Sequence, residues 1–108
     1  MNRKRTTDHN AYWIKRLRED KELTIEYLNV SLEEEDPRMF LLALRNVAEA
    51  YGGFSKLARA AKLDRSNLYK MLSEKGRPEI QTLEKLLSTF GLQIKVVSKT
   101  TQRLKKAA

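Results

Sequence analysis

The chain has 108 residues, a length that fits one domain with at most an appendage. Lys and Arg number 22 against 14 Asp and Glu, for a formal net charge of +8, and 41% of residues are apolar, as in a folded chain rather than a disordered one. The absence of cysteine excludes disulfides, thiolate nucleophiles and sulfur-ligated zinc, and fits a reducing cytoplasm, the location expected here. One histidine, His9, supports neither a catalytic triad nor a His-rich metal site, and no GxGxxG, Walker or HExxH pattern occurs. No enzymatic activity and no cofactor are therefore expected. The longest apolar run, residues 39–44, is too short to span a membrane, and no apolar segment of a secretory signal follows the basic start.

Charge divides the chain into blocks. Residues 1–18 carry six positive charges and one negative, a net of +5, and read as a basic N-terminal extension. Residues 19–36 reverse this to −7, residues 54–78 return to +5, and the tail from 91 to 108 holds five cations and no acid. An acidic block beside basic ones suggests two different partners.

The first predicted helix spans about 20–34, with Asp20 as cap and Tyr27, Leu28 and Leu32 as anchors to the core. Asp36-Pro37 is a strong helix start, a capping carboxylate followed by a proline whose missing N–H costs nothing there. Phe40, Leu41, Leu44, Val47, Ala48 and Tyr51 form a core-facing stripe, which Gly52-Gly53 ends. Ser55 is expected to cap a short helix over 56–62, and Asp64 another over 65–73 with Leu68, Met71 and Leu72 inward. Gly76-Arg77-Pro78 forms a turn. Ile80, Leu83, Leu86, Leu87 and Phe90 make a further helical stripe that stops at Gly91. Residues 92–97 alternate apolar and polar, the pattern of a half-buried strand. Unpaired, such a strand is an exposed edge, so Leu92, Ile94 and Val96 are expected to join two copies into a homodimer.

Two short helices joined by about four residues make a helix-turn-helix. Ala58 and Ala61 permit close approach of the two helices, Leu63 plugs the turn, and Leu68 and Met71 pin the second helix. That leaves Arg65, Ser66, Asn67, Tyr69 and Lys70 exposed, groups that hydrogen-bond base edges and phosphates.

Residues 37–91 resemble the Cro/C1-type helix-turn-helix family. More narrowly, residues 20–97 resemble the HigA-like addiction-module antidotes. The matching pieces are Tyr27-Leu28-Asn29, Leu32-Glu33-Glu34, Asp36-Pro37, Phe40-Leu41-Leu42-Ala43-Leu44-Arg45, Gly52-Gly53, Leu68-Tyr69-Lys70, Leu72-Ser73-Glu74-Lys75-Gly76, Pro78 and Gly91-Leu92. Residues 1–18 and 98–108 lie outside the pattern, and Lys62 stands where the broader family has a turn glycine.

The resemblance implies an all-α, five-helix bundle with an acidic N-terminal helix and a short C-terminal strand. The domain covers 19–97, with a basic tail over 98–108. It also implies an antitoxin that neutralises a RelE/ParE-like toxin and represses its own operon as a dimer on operator DNA. Ser55 and Lys56 then face phosphate, Arg65, Ser66, Asn67, Tyr69 and Lys70 read bases, and Lys75 and Arg77 lie near the duplex backbone. The acidic block should point away from DNA, which makes Glu22, Glu26, Glu33 and Glu34 candidates for toxin contact. Two other readings share these residues: a phage-type or metabolic repressor without a toxin, and a helix-turn-helix used only for protein interaction.

Overall fold

Glycines and acidic caps cut the chain into six α-helices in the computed structural model, which describes residues 2–73 and 75–99, with the backbone alone for 2–10. They are α1 (Asn2–Glu19), α2 (Lys21–Leu32), α3 (Arg38–Ala50), α4 (Phe54–Ala61), α5 (Arg65–Met71) and α6 (Ile80–Thr89). The bundle is all-α as expected, with one helix more than the predicted five and no strand among the described residues.

The additional helix is α1. Its sequence holds five apolar residues among 18, Ala11, Tyr12, Trp13, Ile14 and Leu17, so its stability comes from packing rather than from a stripe along its whole length. Leu17 is wholly buried and belongs to the same core as Leu44, Val47, Leu68, Leu72 and Leu86. A single residue, Asp20, separates α1 from α2. Its carboxylate accepts from the Leu23 N–H at 3.0 Å, and the buried Thr24 hydroxyl donates to the Leu17 carbonyl at 2.9 Å. Arg18 Nε donates to the Ala50 carbonyl at 3.0 Å, tying the end of α1 to the end of α3. The Tyr51 hydroxyl donates to Thr24 Oγ1 at 3.4 Å, and its ring packs 5.2 Å from that of Phe90. The ends of α1, α3 and α6 and the start of α2 thus meet at one corner.

Asp36 does close the start of α3, one position earlier than a cap proper. Pro37 occupies the cap position, and the Asp36 carboxylate accepts from the Arg38 N–H at 2.9 Å and from its guanidinium at 2.7 Å. The Arg38 side chain holds this carboxyl below the usual carboxylate range. Gly52 and Gly53 both take positive φ, 121° and 91°, where a side chain would be strained, and so turn α3 into α4.

Several expectations need correction. Leu32 is not an anchor: it sits in the last turn of α2 with 59% of its surface exposed. Ile80, placed on the core stripe of α6, is 65% exposed at the first position of that helix. Residues 92–97 are not a strand, because a strand is a pairing and no other extended segment among the described residues reaches them. The Leu92 N–H instead donates to the Leu87 carbonyl at 2.8 Å, closing the end of α6. Leu92 is half-buried against the core, whereas Val96 is 92% exposed.

Candidate nucleic-acid interface

The unit formed by α4 and α5 is held by its turn. Lys62 ends α4 in the left-handed region, φ 58° and ψ 47°, so a lysine adopts the conformation for which glycine is usual. The Leu63 N–H then donates to the Ala58 carbonyl at 2.8 Å and Leu63 packs on the core. Asp64 caps α5 as expected, its carboxylate accepting from the Asn67 N–H at 3.1 Å. Leu57, Ala58, Ala61 and Leu68 are buried between the helices. Leu72, just past α5, is buried as well. The α4 cap is Gly53, not Ser55, because the helix starts at Phe54.

The described residues leave Arg65, Ser66, Asn67, Tyr69 and Lys70 exposed on α5. A stack orders this face. The Tyr69 ring lies 4.3 Å from that of buried Phe54, and the Arg65 guanidinium lies 5.5 Å from the Tyr69 centroid. Ser55 and Lys56 are exposed in the first turn of α4, and the Lys56 side chain runs over Gly52. Lys75 and Arg77 are exposed in the turn after α5. Gly76 between them passes so close to the Lys70 and Met71 carbonyls that a side chain has no room. The surface therefore offers guanidinium, ammonium, hydroxyl and amide donors from α4, α5 and the following turn. The one acid on α5's start, Asp64, is engaged as its cap.

The acidic candidates divide. Glu22 and Glu26 are exposed on α2, Glu33 is its C-cap, and exposed Glu34 follows the helix. Leu92, Ile94 and Val96 do not all share one face: Leu92 and Ile94 both line a groove against α2, with Leu92 also packed on the core, whereas Val96 lies outside it. Sequence reasoning missed the helix α1, Arg18 with its bond to Ala50, and the groove itself. For α1 the signal was present in Ile14 and Leu17, spaced three apart, the former partly and the latter fully buried.

Among the described residues no group of side chains can hold a metal ion, and no helix is long and apolar enough to cross a membrane. A family model described as a probable addiction module antidote protein matches residues 9–98. A protein of Haemophilus influenzae (strain Rd), described as uncharacterized, is 39% identical over 70 residues, covering 65% of this chain and 71% of its own. No solved structure matches the chain. The match begins inside α1 and ends at residue 98, beyond α6, so it takes in the α4–α5 unit, the acidic helix and the groove together: the chain belongs to the addiction-module antidote family.

Proposed function

We propose that this protein is a DNA-binding antitoxin of the HigA-like type, with a Cro/C1-type helix-turn-helix. In this reading it neutralises a RelE/ParE-like toxin and represses its own operon as a homodimer, without enzymatic activity of its own. Family membership supplies the toxin as partner. One observation carries the DNA half of the reading: the exposed face of α5 holds Arg65, Ser66, Asn67, Tyr69 and Lys70 with no acid among them, on a helix pinned by Leu68. Such a face suits the major groove, with Ser55, Lys56, Lys75 and Arg77 reaching the flanking phosphates. Pairing of two copies, through a surface other than the groove between α2 and α6, would present two α5 helices about 34 Å apart, one turn of duplex.

A salt titration against promoter DNA tests this. With about three to five phosphates neutralised per protomer, the dimer should show a log–log slope of about −5 to −9. A flat titration overturns the reading.

A further inference from the structure

A groove of about 860 Å³ runs between α2, α6 and the segment that follows α6. Ile25, Leu32, Ile94 and Val97 line it and remain 40%, 59%, 41% and 57% exposed. These are large apolar side chains gathered on one surface, which folded proteins generally cover. On α2, residues 25, 29 and 32 recur at steps of four and three and so share one line along the helix. The adjoining line, at steps of four and seven, carries Glu22, Glu26 and Glu33. The opposite wall contributes Lys95. The groove is thus apolar along its floor, with carboxylates along the outer line of α2, Lys95 across from them and the Lys21 ammonium against the lining Gly91.

We propose that this groove receives an amphipathic helix of the toxin, apolar side inward and a row of Lys or Arg against Glu22, Glu26 and Glu33. This rests on the antitoxin reading and names the surface that reading leaves open. The charge asymmetry selects the occupant. An amphipathic helix with cations along one side satisfies the acidic edge and keeps them away from Lys95, which fixes its direction in the groove. A second copy seated here on a two-fold axis brings acidic α2 toward acidic α2, within segments of net −7 each. The groove draws on α2, α6 and the segment after it, whereas the donors Arg65 to Lys70 lie on α5, so an occupant leaves them free for DNA.

The test uses the full chain, a fluorescent Leu/Lys amphipathic peptide of about four helical turns, and a Leu/Glu peptide of the same pattern. Neutralisation of the protein encoded beside this one is scored in parallel by growth. The double variant Ile25→Asp/Leu32→Asp alters only exposed side chains. It should weaken Leu/Lys binding at least tenfold and abolish neutralisation, with the melting temperature and promoter affinity unchanged. The triple variant Glu22→Lys/Glu26→Lys/Glu33→Lys should reverse the preference between the two peptides. Unchanged neutralisation and peptide binding in the double variant overturn the proposal. So does a double variant that becomes monomeric in sedimentation while still neutralising, since the groove then belongs to a second copy. If the wild type binds the Leu/Lys peptide in the groove yet protects against no toxin, the groove stands as a basic-helix site and the antitoxin reading falls.

Discussion

The guanidinium of Arg65 rests 5.5 Å from the centre of the Tyr69 ring, one turn further along α5. Tyr69 is in turn backed by Phe54 of α4, so a chain of contacts runs from the core to a cation at the start of α5. Under the proposed DNA-binding reading, this stack holds Arg65 ready and lowers the ordering cost of placing it on a base edge, which makes Tyr69 a positioning residue. Tyr69→Ala should reduce discrimination at a single base pair by about 0.5–1 kcal/mol, with the salt slope unchanged, while Tyr69→Phe keeps the stack and the discrimination. Competition binding against operators altered one base pair at a time checks this.

Arg65 and Lys75 should separate base reading from backbone contact. Arg65→Ala should cost about 1–3 kcal/mol on the specific site and relax preference at one position. Lys75→Ala should weaken all sequences alike and make the salt slope shallower by about one. The pair of titrations distinguishes the two roles within one set of duplexes.

The left-handed Lys62 makes the turn improvable. Replacing it with glycine removes the steric cost of that conformation and should stabilise the fold by about 1 kcal/mol, measured by denaturant unfolding. Lys62→Val should go the other way, because a branched β-carbon suits that region least.

Arg18 should matter to stability despite its exposed position. Its Nε satisfies the Ala50 carbonyl, on a residue that is itself 1% exposed. Arg18→Ala should cost about 1.5 kcal/mol, the low end of the range for a hydrogen bond that involves a charged group. Arg16→Ala, in contact with exposed Tyr12 alone among the described bonds, should change the unfolding midpoint far less.

What was legible in the sequence is what is local. Asp20 and Asp64 cap through their own carboxylates, each accepting from the N–H three residues ahead, and Gly52, Gly53 and Gly91 mark helix ends by conformations that glycine favours. The stripe of α3 and the exposed face of α5 follow from helical spacing alone. What was not legible depends on partners distant in sequence. Residues 92–97 alternate as a strand does, yet nothing among the described residues pairs with them. Leu32 and Ile80 keep helical spacing but stand in terminal turns, which the core does not reach. The Phe54–Tyr69 contact joins two helices and has no signature in either.

The anchoring of α1 rests on partners that follow it in the chain. Leu17 is enclosed by a core that draws on α3 to α6, and Arg18 needs the Ala50 carbonyl, so α1 leaves the ribosome before any of its partners exist. A basic helix with so little apolar surface is marginal alone. Thr24 of α2 is at hand for the Leu17 carbonyl as soon as α2 is made, whereas the Arg18 bond to Ala50 waits for the end of α3. Hydrogen exchange on the full-length protein should accordingly find the α1 amides opening more readily than those of α3.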